Sequence, residues 1–301
     1  MTTLFNYLTC ATVLCAAAAA AHAEDIYDVR KVAPFHAIDV SGPYTVEIKG
    51  VGTQELALSG PRKELDDIDT IVKGDTLIVR PRAPGGINIR FNRKERVTIK
   101  IRAPGLHSLS NAGSADVSAR DVESAQFALN VSGSGDVEMF QLKTAKLNVS
   151  MQGSGDVDLG GDVGVLQANV NGSGSFDACS MNLKRASAVL RGSGEVCVPG
   201  GSEEFLGELH GSGELTVKQL QADKARLVVT GSGEIDIDGA VGTLVADLNG
   251  SGSIDAEELV VQQPKVTVRG SGNVEVRVKA AGNGAAQLMR YDRKGARATR
   301  G

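Results

Sequence analysis

Hydrophobic and polar residues alternate in short runs on both sides of a recurring Gly-Ser-Gly tripeptide. In one repeat, Leu147, Val149 and Met151 precede the tripeptide, and Val157 and Leu159 follow it. Alternation with a period of two is typical of a strand that buries one face. Glycines suit the bend between two such strands, because they adopt positive φ at no steric cost. Each repeat is therefore predicted to be a strand, a Gly-Ser-Gly corner and a second strand.

The tripeptides recur at steps of 19 or 20 residues, after a degenerate Gly-Ser-Ala copy. Their first glycines are Gly113, Gly133, Gly153, Gly172, Gly192, Gly211, Gly231, Gly250 and Gly270. So constant a period indicates stacked structural units, here called rungs. A rung of about 20 residues is too short for a crossover helix, because a strand-helix-strand unit needs about 30. Parallel crossovers are nearly always right-handed, so we predict an all-β fold, a right-handed parallel β-helix or solenoid, over residues 105–279.

The chain outside these repeats has a different pattern. Residues 24–104 also alternate, for example over Tyr44–Lys49, but lack the 20-residue period. We predict an irregular β segment there that caps the open end of the solenoid. Residues 280–301 are basic and lack the repeat, which predicts a disordered tail.

Residues 1–23 contain no Asp, Glu, Lys or Arg, and carry an apolar run from Ala11 to Ala21 before Ala21-His22-Ala23. This pattern predicts a signal peptide cleaved after Ala23, although its start has no Lys or Arg. An uncleaved membrane anchor is the alternative, and the weak hydrophobicity of the Ala-rich run disfavours it. We therefore expect an exported protein, in the periplasm or on the outer cell surface, with no stable membrane span after cleavage.

Charge argues against one class of partner. The formal net charge is −4, which disfavours a nucleic-acid-binding surface. A basic cluster nevertheless lies near the end of the N-terminal segment, at Arg80, Arg82, Arg90, Arg93, Lys94, Arg96, Lys100 and Arg102. It could bind an anionic glycan or lipid, but a solvated edge that discourages strand pairing is the favoured interpretation.

Two cysteines remain after the predicted cleavage, Cys179 and Cys197. Extended-strand geometry places their Cα atoms about 8 Å apart, beyond the usual disulfide limit of about 7 Å. An oxidising compartment favours the bond, and Pro199 and Gly200 make this turn irregular. Both states stay open, and free thiols are the expectation.

Two stretches and the repeat carry a family resemblance. They are FHAIDVSGPYTVEIKG (Phe35 to Gly50), VTIKIRAPGLHSL (Val97 to Leu109) and the rungs of the form LxVxxxGSGDV. Together they resemble the head GIN domain family, described as putative auto-transporter adhesins, over about residues 32–280. The resemblance implies a right-handed single-stranded β-helix on the exported side of bacterial cells, with no assigned catalytic residues.

Parallel β-helices also include polysaccharide-cleaving enzymes, but a fold does not supply a catalytic site. Such chemistry needs paired carboxylates, or a base with a stabilising cation. Arg191, His210 and Arg269 share the position before the corner, where a polar turn-edge side chain is the favoured interpretation. We therefore expect a non-catalytic envelope or cell-surface protein, adhesin-like, whose partner is a glycan, matrix or envelope protein. A polysaccharide-active lyase or hydrolase is the alternative.

Acidic residues recur three and five positions after the first corner glycine, so twelve carboxylates line one outward face. The densest group is Asp136, Glu138, Asp156 and Asp158, where two adjacent rungs each carry both acids. Calcium accepts several carboxylate oxygens, which makes these four residues candidate metal ligands. A solvated, aggregation-resistant face is the favoured interpretation. No other cofactor is expected.

Overall fold

The computed structural model describes residues 25–82, 97–201, 203–279 and 285–298. It is an all-β solenoid of about eight turns, which confirms the predicted fold class. The predicted signal peptide lies outside the described residues. Among the described residues, no helix has the length and apolar character needed to cross a membrane.

The strands follow one another with a single short helix, α1, at Arg62–Asp66 within the described ranges. The strands are β1 Asp25–Val29, β2 Ala37–Val40, β3 Thr45–Lys49, β4 Glu55–Pro61, β5 Ile68–Lys73, β6 Thr76–Pro81, β7 Thr98–Arg102, β8 Ser108–Gly113, β9 Asp116–Arg120, β10 Glu123–Gly133, β11 Val137–Gly153, β12 Val157–Gly172, β13 Ser175–Asp177, β14 Asn182–Gly192, β15 Glu195–Pro199, β16 Glu204–Gly211, β17 Glu214–Gly231, β18 Glu234–Gly250, β19 Ser253–Gly270, β20 Asn273–Val278, β21 Gln287–Asp292 and β22 Gly295–Ala298.

The rungs stack in parallel, with each residue beside its counterpart one repeat away. In β10 and β11, for example, Leu129 pairs with Val149 and Gly133 pairs with Gly153. Alternate side chains point inward and form one continuous hydrophobic cluster along the solenoid. The period-two pattern read from the sequence therefore marks the buried face correctly.

The Gly-Ser-Gly corners stack backbone upon backbone. Gly153 has a φ of 134°, and a Cβ atom there would come within 3.0 Å of the Gly133 carbonyl oxygen. Gly155 does not have a positive φ in the left-handed range, yet its Cβ would approach the Gly135 carbonyl oxygen equally closely. The first glycine is thus required by conformation and by space, and the second by space alone.

Each rung bends a second time after the strand that follows the tripeptide. Positive φ recurs at this second corner, at 56° for Asp121, 59° for Gln141 and 56° for Gln219. Glycine takes it at Gly161 (144°) and Gly239 (117°). The parallel register shifts there, between Met139 and Leu142 in the β11–β12 pair. The second corner therefore differs from rung to rung, whereas the first is nearly invariant.

The N-terminal segment is more regular than predicted. Strands β2 and β3 form a rung of their own, with Ser41-Gly42-Pro43 as its corner. A Cβ atom on Gly113 would lie 3.1 Å from the Gly42 amide nitrogen, so the two corners stack. This rung lies between β6 and β7 on one side and β8 and β9 on the other. The first rung in sequence is thus inserted between two later ones.

Antiparallel strands flank this stack at both ends. At the N-terminal end, β4 pairs with β7, β5 with β6, and β1 with β4. At the other end, β21 and β22 form a hairpin on β20, where the sequence predicted only a disordered tail. Tyr291 of this hairpin packs against the core. Side chains of β21 are partly buried, whereas β22 is exposed throughout and is held by its antiparallel pairing with β21.

Candidate functional site

The four predicted metal ligands lie on one exposed face of adjacent rungs. Glu138 pairs with Asp158, which in turn pairs with Asp177 on the next rung. Partial burial, and then the charges of Asp177 and Glu138, raise the pKa of the Asp158 carboxyl group. The acidic row is therefore electrostatically strained at Asp158.

Two of these acids, Asp136 and Asp156, accept hydrogen bonds from the backbone of the next rung. The Asp136 Oδ1 atom accepts a hydrogen bond from the Asp156 backbone N–H at 3.0 Å, and Asp156 Oδ1 accepts one from Ser175 N–H at 3.0 Å. On a rung with glutamate at this position, the Glu214 N–H instead donates to the Gly194 carbonyl oxygen at 3.1 Å. The shorter Asp side chain thus replaces a glycine carbonyl as the acceptor between rungs.

Within the described ranges, potential ligand atoms converge in a group of three at Asp177, Cys179 and Cys197. The two cysteines of this group form a disulfide, so their sulfur atoms are not thiolate ligands. The four predicted acids form no such group within the same ranges. Calcium binding at those acids stays a prediction.

The disulfide corrects the expectation of free thiols. The Cα atoms of Cys179 and Cys197 are 5.4 Å apart, not about 8 Å as an extended chain would place them. Strand β13 ends at Asp177, which pairs with Cys197, and the chain then turns. The Met181 N–H donates to the Ala178 carbonyl oxygen at 2.9 Å in this turn. The turn brings Cys179 back toward Cys197, and the disulfide between them joins the two adjacent rungs covalently.

The described members of the basic cluster are largely paired with neighbouring acids. Arg82 lies 2.9 Å from Asp69, and Arg102 lies 2.8 Å from Glu55. Lys100 is 3.6 Å from the carboxylate of Glu47. Arg90, Arg93, Lys94 and Arg96 lie outside the described residues. These pairs favour a solvated edge over an anion-binding surface in the described part of the cluster.

Arg191 and His210 lie side by side on neighbouring rungs, as their shared position in the repeat implies. Arg269 lies further along the same column, beyond Thr230 and Asn249. The His210 Nε2 atom is 3.6 Å from the Glu208 carboxylate. The structure does not bring the three predicted residues together.

A cluster that the sequence did not reveal lies at the N-terminal end. His36 Nδ1 is 2.8 Å from one oxygen of Asp75, and His107 Nε2 is 3.1 Å from the other. These hydrogen bonds lower the pKa of Asp75. All three side chains are about half exposed, with the imidazoles at 50% and 51%. The Asp75 carboxylate thus connects the residues that immediately precede β6, β2 and β8, three strands that are distant in sequence.

A groove at the second corner interrupts the regular surface. We call it the Phe140 groove, a cavity of about 520 Å³ lined by Val51, Glu123, Phe140, Lys143, Asp162 and Asn182, among others. Glu123, Lys143, Asp162 and Asn182 pair in that order on successive rungs. They form a mixed row of two carboxylates, an ammonium group and an amide along the groove.

The floor of the Phe140 groove is apolar. Val51 is 53% exposed, and the Phe140 ring is half-buried beneath the Arg120 guanidinium, whose central carbon lies 5.8 Å from the ring centroid. Gly160 lies beside the ring on the next rung, and a Cβ atom there would be 3.4 Å from Phe140 Cδ1. An exposed apolar floor beside fixed polar groups is typical of a ligand-binding cleft.

A family model described as "putative auto-transporter adhesin, head GIN domain" matches residues 34–214 and 199–287. A comparison with curated proteins gives no match.

Several solved bacterial structures share the fold. A putative adhesin from Bacteroides fragilis is 22% identical, with a TM-score of 0.56 over 82% of this chain and 97% of the other. A putative adhesin from Parabacteroides merdae is 18% identical, with a TM-score of 0.57 over 83% and 95%. A putative lipid binding protein from Parabacteroides distasonis is 24% identical, with a TM-score of 0.56 over 83% and 95%. At these identities the likeness shows the fold alone.

Proposed function

Because the chain belongs to the head GIN domain family of putative auto-transporter adhesins, we propose that it is a non-catalytic, exported, adhesin-like scaffold that binds a glycan or a protein. The observation that carries this proposal is the in-register stack of rungs, interrupted by the Phe140 groove. A stack held by backbone contacts at every corner keeps surface side chains at fixed spacing, about 4.8 Å from rung to rung. Such a surface suits attachment, because little side-chain or loop ordering is lost on binding.

The arrangement of polar residues supports binding over catalysis. Arg191, His210 and Arg269 are spread along one column, and His36, Asp75 and His107 bond to each other at strand ends. A polysaccharide lyase or hydrolase would need an acid and a base converging on one sugar linkage. We therefore assign the protein attachment as its role, in the periplasm or on the outer surface.

The test uses the processed chain that begins at Glu24, immobilised on beads. The beads are exposed to arrays of oligosaccharides and to surfaces coated with matrix or envelope proteins, beside beads that carry an unrelated β-solenoid. We expect retention on at least one surface and no new reducing or unsaturated sugar ends in the supernatant. Turnover of a bound polysaccharide would establish the enzyme instead. A lack of retention on every surface would refute the attachment role.

Export is tested separately, in cells that produce the full chain. The mass of the protein recovered outside the cytoplasm should correspond to cleavage after Ala23. Recovery of the uncleaved chain in the membrane fraction would support the anchor instead.

A further inference from the structure

We propose that the Phe140 groove is the binding site for an uncharged oligosaccharide that lies along the solenoid axis. This inference deepens the proposed function, since it names both the site and the class of ligand for attachment. It rests on three properties of the groove: its shape, its hydrogen-bonding groups and its charge.

The shape of the groove follows from a local change in the repeat. At the second corner, the rung that supplies the groove floor carries Phe140 and the extra residue Gln141, whereas the next rung is one residue shorter there, and its Gly161 pairs with Leu142. Gly160 of that next rung lies beside the Phe140 ring and places no side chain against it, and the ring is partly exposed to the groove. Together with exposed Val51, the ring offers an apolar platform in a cavity of about 520 Å³. That volume lies within the range of about 300–1,000 Å³ typical of small-molecule sites.

The polar row supplies the hydrogen bonds that a sugar needs. Asp162 Oδ1 accepts a hydrogen bond from Asn182 Nδ2 at 3.0 Å, which fixes the orientation of both side chains. The second oxygen of Asp162 and the amide oxygen of Asn182 are acceptors, while Lys143 adds a donor. Sugar hydroxyl groups donate and accept, so a mixed row on successive rungs can meet hydroxyls along one saccharide chain. The row and the apolar floor lie side by side, which matches the polar edge and apolar face of a sugar ring.

Charge selects the class of saccharide. Asp121, Glu123 and Asp162 bring three carboxylates to the groove, against the single ammonium group of Lys143. Arg120 lies over the Phe140 ring and does not line the cavity. Uronic acids, sulfated sugars and phosphate headgroups would therefore meet like charge, whereas a neutral sugar would not.

Two other occupants fit less well. A peptide that adds a strand needs an unpaired sheet edge, but Lys143 and Asp162, at the centre of the groove, lie on strands that are paired on both sides at these residues. A lipid chain needs an enclosed apolar cavity, and the interior here is filled by the continuous core. The groove is therefore assigned to a saccharide.

The experiment measures binding by titration calorimetry with the processed, disulfide-bonded chain. The uncharged probes are cellohexaose, maltohexaose and chitohexaose, and the charged probes are hexagalacturonate and phosphatidylglycerol vesicles. The groove variants are Phe140→Leu, which keeps an apolar side chain, and Asp162→Asn, which keeps the shape of the acid. The matched control is Asp223→Asn, in a smaller groove of about 430 Å³ further along the solenoid, whose lining has no aromatic ring. Melting curves verify that each variant is folded.

We expect at least one uncharged hexasaccharide to bind, and each groove variant to weaken that binding about tenfold or more. The control should change the Kd less than about twofold. Equal binding by wild type and both groove variants would overturn the site and leave the attachment role standing. Preferential binding of hexagalacturonate or vesicles would overturn the charge argument. Retention only on protein-coated surfaces, with no hexasaccharide bound, would overturn the ligand class but not the proposed function.

Discussion

Replacing a corner glycine by alanine tests whether backbone stacking holds the rungs together. Substitutions at three glycines distinguish the conformational cost of a left-handed φ from the steric cost of an added Cβ atom. At Gly74 the φ is 61° and an added Cβ atom meets nothing within 4 Å, so alanine there carries only a conformational cost. At Gly155 the added atom meets the backbone of the preceding rung without a left-handed φ, and at Gly153 both conditions apply.

The expected losses follow from these contacts. Gly74→Ala should cost about 1–2 kcal/mol, the usual penalty for a left-handed residue with a Cβ atom. Gly155→Ala forces backbone apart in a packed stack, and overpacking of this kind costs about 1–3 kcal/mol. Gly153→Ala combines both terms and should cost about 2–5 kcal/mol. The damage should be local, because each rung contacts only its neighbours.

Urea unfolding followed by circular dichroism gives the free energy of unfolding for each variant, with the m-value as a test of cooperativity. Amide hydrogen exchange then locates the loss, which for Gly153→Ala should centre on β10, β11 and β12. A Gly153→Ala protein no less stable than Gly74→Ala would refute the reasoning, since the close approach between corners would then cost nothing. If Gly153→Ala fails to fold, Gly155→Ala still decides whether the approach is costly.

Four further substitutions test single features of the structure. Tyr44→Phe should stabilise the protein by about 1–2 kcal/mol in urea unfolding, because the buried Tyr44 hydroxyl has no hydrogen-bond partner among the described residues; a loss of stability would indicate a hidden partner. Serine at both Cys179 and Cys197 should cost about 2–4 kcal/mol, and reduction of the wild type should reproduce that loss. Asp158 has a raised pKa in the folded state, so its own contribution to stability becomes more favourable as pH falls through that pKa. Asp158→Asn should therefore be more stable than wild type at neutral pH, by less than about 1 kcal/mol because the group is exposed to solvent, and this difference should shrink as pH falls; a difference that does not change with pH would contradict the repulsion. Asp75 has a lowered pKa, so its contribution is present at neutral pH and is lost as pH falls through its folded pKa; Asp75→Asn should have a lower melting temperature than wild type at pH 7, with a smaller difference in acid, and identical melting at pH 7 would contradict a stabilising role for the hydrogen bonds to His36 and His107.

The regular part of the fold could be predicted because a single physical requirement recurs in every rung. Close backbone approach at the corner selects glycine each time, so the tripeptide repeats and reveals both the period and the strands. The second corner is held differently. Asp121, Gln141 and Gln219 occur there on rungs of 20 residues with a φ of 56–59°, whereas Gly161 and Gly239 occur there on rungs of 19 residues, where a Cβ atom would collide with the preceding rung. The sequence therefore predicts that each rung turns a second time, but it does not predict the residue at which this second corner lies.

The inserted N-terminal rung could not be predicted for a topological reason. Ser41-Gly42-Pro43 has the composition of a corner, yet a solenoid read from sequence places consecutive rungs side by side. Here the neighbours of β2 and β3 are β6 and β7 on one side and β8 and β9 on the other. The disulfide was misjudged for a local reason, since strand geometry does not apply to the turn after Asp177.

The Phe140 groove could not be predicted from the sequence, because no short motif encodes it. Glu123, Lys143, Asp162 and Asn182 come together only when the rungs are placed in register, and Phe140 contributes through the corner beside them. The available signal was a change of repeat length: the rung that carries Phe140 and Gln141 has 20 residues, whereas the next rung has 19 and carries Gly160 beside the ring.

The two corners differ in how much sequence change the stack allows, which supports the proposed position of the ligand site at the second corner. At the first corner, a side chain larger than hydrogen on either glycine collides with the backbone of the preceding rung, so that surface can vary little. The inward positions are fixed by the continuous core. The second corner has two forms: Asp121, Gln141 and Gln219 adopt a φ of 56–59°, whereas Gly161 and Gly239 approach the backbone of the preceding rung as closely as the first-corner glycines do. Only the form without glycine leaves room for side chains of different chemistry, and the proposed groove lies beside one such corner, at Gln141.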